Sequence, residues 1–125
     1  MNIFATSINC MDGRIQLPII EYIRKKFNVD HVDIITEPGP NKILAENSDL
    51  ERINSIKQRV DISVNKHNSQ LIAVSGHHDC AGNPEAKDDQ IEHIKTAIEL
   101  INSWGFKAKT IGLWIDDDCK VSEVE

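Results

Sequence analysis

Two short segments carry the residues of this chain that are best suited to chemistry. The first runs from Cys10 to Arg14 and the second from Gly76 to Gly82. Within the second segment, His77 and Cys80 lie three positions apart on a turn flanked by glycines. Such a turn can direct an imidazole nitrogen and a thiolate to one point, and this pair of ligands suits zinc. Two ligands do not make a metal site, so the question is whether Cys10 lies close enough to join them.

Each segment follows a short apolar run that is typical of a buried strand. The runs are Ile3–Ile8 and Leu71–Val74. Alternation and apolar content predict strands over residues 2–9, 31–36, 70–75 and 108–115, with a short fifth strand within 120–124. The segment 37–41 holds two prolines and a glycine, which predicts a loop.

Three helices are predicted between these strands. Pro18 is expected to open the first, and Ser48 with Glu51 forms a capping-box pattern for the second. Asp89 is a cap-like start for the third, which Gly105 should stop. Helical spacing assigns the buried faces to Ile19, Ile20, Ile23 and Phe27, to Ile53, Ile56, Val60 and Val64, and to Ile91, Ile94, Ile98 and Ile101.

The alternation of strands and helices predicts an α/β fold. We expect one domain over residues 1–125, with an open, mostly parallel sheet in the order 2-1-3-4, a short edge strand, and helices on both faces. In such sheets ligands bind beyond the carboxyl ends of the strands, where the strand order reverses. Here the reversal falls between strands one and three, so the segments at Cys10 and His77 should meet.

Composition narrows the possible partners and the compartment. The net charge is -6 and there is no basic cluster, which argues against nucleic acid and anionic membranes as partners. No apolar run approaches the ~20 residues of a membrane span. The chain is predicted to enter a strand at its N-terminus, so no signal peptide is expected. Three cysteines, two of them beside His or Asp, favour a reduced, cytoplasmic protein with metal-binding or reactive thiols over a disulfide scaffold.

A set of Cys10, His77 and Cys80 would leave one tetrahedral position of a zinc ion open, as in catalytic zinc sites. Zinc lowers the pKa of a bound water towards ~7. Asp12 could orient the resulting hydroxide, and Arg14 could hold Asp12 ionised through paired hydrogen bonds. Released from Arg14, the Asp12 carboxylate could instead occupy the fourth zinc position.

The pattern Cys10-x-Asp12-x-Arg14 followed by Gly76-His77-x-x-Cys80-x-Gly82 resembles the paired signature of the β-class carbonic anhydrases. The order of elements is also similar, and the segment 111–117 resembles the strand and turn that close that family's sheet. The resemblance implies that Cys10, His77 and Cys80 bind zinc. It also implies that Asp12 and Arg14 orient a metal-bound hydroxide for the hydration of carbon dioxide to bicarbonate.

Two features depart from the family pattern. Strand one begins at Asn2, where the family usually has helical arms, and Thr36–Pro40 stands in place of an Arg-Asn-Ala-Gly-type segment. An arm-less chain leaves the crevice beside the sheet poorly covered, which predicts self-association, most simply as a two-fold homodimer.

Several alternatives remain open from the sequence. The protein could be a zinc-binding or regulatory module without hydratase activity, or a hydrolase of carbonyl sulfide or carbon disulfide. Cys10 could also act as a metal-free thiolate nucleophile beside Arg14. Other polar residues are expected in structural or solvent-facing positions, namely His31, His67, His78, His93, Cys119 and the turn Asp116–Asp118.

Overall fold

A five-stranded sheet organises the computed structural model, which describes residues 2–125. The strands are β1 (Phe4–Cys10), β2 (His31–Glu37), β3 (Leu71–His77), β4 (Lys109–Ile115) and β5 (Val121–Val124). They lie in the order β2-β1-β3-β4-β5, and only the β4–β5 pairing is antiparallel. The predicted fold class and strand order are confirmed, including the short edge strand.

The helices are α1 (Gln16–Phe27), α2 (Pro40–Glu46), α3 (Leu50–Asp61) and α4 (Lys87–Ser103). A π-helical turn, Ile62–Lys66, continues α3. The helices α2, α3 and α4 contribute buried side chains to one side of the sheet, including Leu44, Ile56 and Ile94. On the other side α1 contributes Ile19 and Ile23 and is the only helix among residues 2–125 to pack there. Helices therefore cover both faces, as predicted, but in the described part of the chain one face has α1 alone.

The prediction that residues 37–41 form only a loop was wrong, because α2 begins at Pro40. Gly39 has a φ of 61°, a left-handed conformation that turns the chain sharply after β2. Pro40 then occupies the first turn of the helix, where a missing N–H costs nothing and the fixed φ is favourable. The same residues that suggested a break therefore set the geometry of a helix start.

The predicted helix starts were also displaced by a few residues. The cap of α3 is Asp49, whose side chain accepts a hydrogen bond from the Arg52 N–H, and Ser48 does not cap it. The helix α1 begins at Gln16, before Pro18, and α4 begins at Lys87, before Asp89. The buried residues of α4 are Gln90, Ile94, Ala97 and Ile101, so the prediction is confirmed for Ile94 and Ile101, whereas Ile91 and Ile98 are only partly buried.

The strands β1 and β3 separate towards their carboxyl ends. Their parallel pairing covers only Thr6–Ile8 against Ile72–Val74, although both strands continue beyond it. Strand order reverses at this same place, since β2 lies outside β1 and β4 lies outside β3. The separation opens a crevice between the two strand ends.

Within residues 2–125 no helix is long and apolar enough to cross a membrane.

Candidate metal centre

Cys10, His77 and Cys80 converge in the crevice where β1 and β3 separate. Cys10 ends β1, His77 ends β3, and Cys80 follows three residues later. One sulfur or ring nitrogen from each residue lies within 4.8 Å of the others, and the two sulfurs are 3.8 Å apart. The three residues are 5%, 2% and 3% exposed. The structure thus brings together two soft sulfur donors and one imidazole, a donor set that suits zinc.

The imidazole of His77 has one nitrogen anchored and one nitrogen without a partner. Nδ1 lies 2.8 Å from the carbonyl oxygen of His78, which makes it the protonated nitrogen in this contact. Nε2 is buried and finds no hydrogen-bond partner among residues 2–125. A buried polar atom without a partner is costly, and a metal ion would satisfy it. The residues present therefore fit a metal ion.

The two thiols have opposite ionisation tendencies. A hydrogen bond from the Cys80 thiol is the main cause that lowers the pKa of Cys10 to about 4, although burial opposes the shift. The pKa of Cys80 is raised, first by donating to Cys10 and then by burial. Burial alone would lower the pKa of His77, but the adjacent Cys10 thiolate reverses this and raises it. Without a metal, one thiolate and one thiol therefore share the site.

Backbone N–H groups also face the sulfurs. Gly39 and Asp12 donate to Cys10, and both contacts lower the pKa of its thiol. The backbones of Asn83 and Gly82 lower the pKa of Cys80 in the same way, and the Asn83 N–H also donates to the Cys80 carbonyl oxygen at 3.3 Å. Donors of this kind stabilise a thiolate, because they hydrogen-bond the charged form. These N–H groups favour the thiolate form in which cysteine binds a metal, although for Cys80 they do not offset the contact with Cys10 and burial.

The turn after β2 also belongs to this centre. This contribution was not predicted from the sequence. Backbone packs directly on backbone there: a Cβ atom on Gly82 would lie 2.3 Å from the carbonyl carbon of Pro38. A Cβ atom on Gly39 would lie 2.6 Å from the carbonyl carbon of Gly82. Only glycine permits this approach. The signal in the sequence was Gly39 between two prolines, in the segment that departs from the β-class pattern.

Asp12 and Arg14 form a close ion pair at the rim of the crevice. Arg14 Nη2 lies 2.7 Å from Asp12 Oδ2, Nε donates to the same carboxylate, and the Arg14 backbone N–H donates to Oδ1 at 2.9 Å. Arg14 is the main cause that lowers the pKa of Asp12 to about 2. The pair in turn raises the pKa of Arg14. Arg14 also donates to the carbonyl of Asp79 at 3.1 Å, so it bridges the two strand ends.

The chain as a whole is similar to known proteins. A family model described as "Putative carbonic anhydrase" matches residues 1–125. The chain belongs to this family. Among solved structures, this carbonic anhydrase family member is similar to the β-carbonic anhydrase CafA of Aspergillus fumigatus, with a TM-score of 0.58 and 12% sequence identity over 99% of this chain and 76% of that chain.

A second similar structure comes from the fungus Sordaria macrospora and is described as a tetrameric β-carbonic anhydrase. The TM-score is 0.56 and the identity 12%, over 99% of this chain and 82% of that chain. At this identity the likeness concerns the fold, which is that of the β-carbonic anhydrases. Among curated proteins, none matches the sequence significantly.

The other polar residues singled out from the sequence lie outside the trio of donors. His31, His67 and His78 are exposed, whereas His93 is half-buried beside Asn83. Cys119 is half-buried, and its thiol donates to the Arg14 carbonyl oxygen at 3.7 Å. Asp116 accepts backbone N–H groups of its own turn, from Asp118 and Lys120. The acidic segment is therefore a hydrogen-bonded turn.

A second crevice, with a volume of about 430 Å³, opens beside Cys80. The indole of Trp114 and the ammonium of Lys87, which lies 5.8 Å from the ring centroid, form part of its wall. Gln90 also lines this crevice. Sequence reasoning missed Gln90, because the stripe predicted for this helix contained only isoleucines.

Proposed function

We propose that this carbonic anhydrase family member binds one zinc ion through Cys10, His77 and Cys80 and hydrates carbon dioxide to bicarbonate. The observation that carries the proposal is the convergence of two thiols and an unpartnered imidazole nitrogen within 4.8 Å. Membership of a family described as carbonic anhydrases supports the reaction. The Asp12–Arg14 pair beside the centre supports the mechanism.

A zinc ion with three protein ligands has an open fourth position and lowers the pKa of water there towards ~7. Asp12 would accept a hydrogen bond from the attacking oxygen and so direct a lone pair to the carbon of carbon dioxide. The pKa of about 2 keeps Asp12 ionised throughout the neutral range, as an acceptor must be. The burial of the three donors excludes bulk water from their sulfur and nitrogen atoms.

Arg14 would act on the reaction through Asp12. Its guanidinium contacts both carboxylate oxygens of Asp12, which fixes the carboxylate plane. The further contact with the Asp79 carbonyl ties this pair to the loop that carries Cys80. Arg14 therefore holds the carboxylate away from the metal and keeps the fourth position free for water.

The test is the rate of carbon dioxide hydration per bound zinc, measured by stopped flow for the wild type and for Asp12→Asn. The amide fills the same space but is a weaker acceptor, so the rate should fall by ~10²–10⁴-fold while zinc remains bound. Asp117→Asn, on an exposed turn, is the matched control and should keep the wild-type rate. Equal rates for Asp12→Asn and the wild type would remove Asp12 from the mechanism.

The same assay separates the alternatives. A zinc-loaded protein without hydration would favour a binding module, and turnover of carbonyl sulfide or carbon disulfide alone would reassign the substrate. Thiol chemistry without a metal has less support. Cys10 is buried, and its low pKa arises first from Cys80 and then from His77, whereas Arg14 is engaged with Asp12.

We also propose that the protein is a cytoplasmic homo-oligomer, most simply a homodimer. The tetrameric state of the Sordaria macrospora protein supports self-association in this fold. Three free cysteines suit a reducing compartment. The net charge of -6 gives no support for nucleic acid or an anionic membrane as a partner.

A further inference from the structure

We infer that Gln90, on α4, is a positioning residue for His77: its side-chain amide replaces the missing strand neighbour at the end of β3. The inference deepens the proposed function and rests on it for the identity of the metal. The observation itself is a set of hydrogen bonds between one buried side chain and the backbone of the segment that carries the imidazole.

The backbone of His77 loses its strand partner where β1 and β3 separate. On the β4 side, the His78 N–H donates to the Ile115 carbonyl at 2.9 Å. Peptide groups alternate in direction along a strand, so the N–H and C=O of His77 point to the opposite side. The pairing with β1 ends at Val74, three residues earlier. Without another donor and acceptor, the N–H and the C=O of His77 would therefore be buried and would lack hydrogen-bond partners.

The amide of Gln90 supplies both missing hydrogen bonds. Its Nε2 donates to the His77 carbonyl oxygen at 2.9 Å, and its Oε1 accepts from the His77 N–H at 3.3 Å. Nε2 donates a second time, to the Glu85 carbonyl oxygen at 3.2 Å. One side chain thus binds the end of β3 to the loop that leads into α4.

The surroundings of Gln90 are built around this role. It is 1% exposed and opens the buried stripe of α4, a position that otherwise calls for an apolar residue, as at Ile94. Burial of a primary amide is costly unless its donors and acceptor are used, and here they are. Gly76 makes room, because a Cβ atom there would lie 2.8 Å from Gln90 Oε1. Asn41 donates to the Gln90 backbone carbonyl at 3.4 Å and fixes the other side of the residue.

The position of the His77 ring follows from the position of its backbone. Nδ1 is already fixed by the His78 carbonyl, so a displacement of the strand end moves Nε2 relative to the two sulfurs. Outer groups that orient a ligand typically contribute 10–100-fold to metal affinity. Gln90 is expected to contribute in this way although it does not contact the metal position.

The test compares zinc affinity, measured by competition with a chromophoric chelator, in the wild type, Gln90→Met and Ile94→Ala. Gln90→Met keeps the length of the side chain and removes its hydrogen bonds, so affinity should fall by ~10–100-fold. Ile94→Ala removes buried volume from the same face of the same helix and should destabilise the fold without weakening zinc binding. The Co²⁺-substituted Gln90→Met protein should also show altered ligand-field bands. Unchanged affinity in Gln90→Met, or an equal loss in Ile94→Ala, overturns the inference.

A second measurement needs no variant. Amide hydrogen exchange of the zinc-free wild type should show that the His77 N–H is protected like those in the interior of β3, although neither neighbouring strand binds it. Exchange at the rate of an exposed amide overturns the inference even if Gln90→Met fails to fold. Neither readout uses hydration, so a zinc-binding wild type without hydratase activity would contradict the proposed function and leave the role of Gln90 intact.

Discussion

Substitution of Cys80 tests whether Cys10, His77 and Cys80 form a metal site. Its sulfur lies 3.8 Å from Cys10 and is 3% exposed. Cys80→Ser replaces a thiolate donor by a poor zinc ligand, so the variant should lose most of its zinc and the thermal stabilisation that zinc adds to the wild type. Metal analysis after dialysis, with melting curves at fixed zinc concentration, checks this. Cys119→Ser is the control, since its sulfur is outside the trio; full zinc occupancy in Cys80→Ser would refute the ligand assignment.

Arg14 controls the charge of the Asp12 carboxylate. Because Arg14 lowers the pKa of Asp12 from the usual 3.8 to about 2, the ion pair stabilises the folded protein above the usual pKa. This contribution is lost as the pH falls through the range from 3.8 to about 2. In Arg14→Ala the carboxyl pKa should rise towards its usual value, which carboxyl carbon NMR would show in a pH titration. Arg24→Ala removes an exposed charge from α1 and should leave the pKa of Asp12 in place.

At the scale of elements, the contact between the Pro38–Gly39 turn and the loop after Cys80 holds the two halves of the site together. In Gly82→Ala the new methyl group would meet backbone atoms that cannot move aside, at 2.3 Å and 2.6 Å. We expect a loss of about 1–3 kcal/mol in the free energy of unfolding, together with weaker zinc binding as the Gly82 N–H moves away from Cys80. Urea unfolding and chelator competition measure the two effects.

Gly13→Ala is the matched control for that substitution. A Cβ atom at Gly13 would meet nothing within 4 Å, so its free energy of unfolding should stay within about 0.5 kcal/mol of the wild type. If Gly82→Ala behaved like Gly13→Ala in both measurements, the contact between the two turns would have no role in the site.

The elements also show what a sequence can and cannot predict. Strand order and the meeting of Cys10 with His77 follow from alternating strands and helices, a pattern that local residues determine. The whole of α2 was missed because Pro40 breaks a helix interior but suits a helix start, and only the φ of Gly39 distinguishes the two cases. The role of Gln90 was missed because it depends on hydrogen bonds to the backbone of His77, which is distant in sequence. Periodicity describes the face of a helix and carries no information about such a partner.

The helices cover the two faces of the sheet unevenly, and this favours self-association of the whole molecule. In the part of the chain that the structure describes, one face has only α1, and partly buried apolar side chains such as Tyr22, Val32 and Val121 pack on that side. The edge strand β2 exposes Ile34 and has no strand neighbour beyond β1 among residues 2–125. Light scattering at micromolar concentration should therefore give at least twice the mass of one chain. A monomeric mass that persists at high concentration would contradict self-association.

A titration of the metal-free protein with Zn²⁺ tests whether zinc in this site supports the hydration of carbon dioxide. Stopped-flow hydration rates should rise in proportion to added zinc and reach a plateau at about one zinc per chain, the stoichiometry expected for one site of three protein ligands. The Cys80→Ser protein should stay near the uncatalysed rate over the same range of zinc concentration. A wild type that binds one zinc per chain and still hydrates carbon dioxide no faster than buffer would contradict the proposed function.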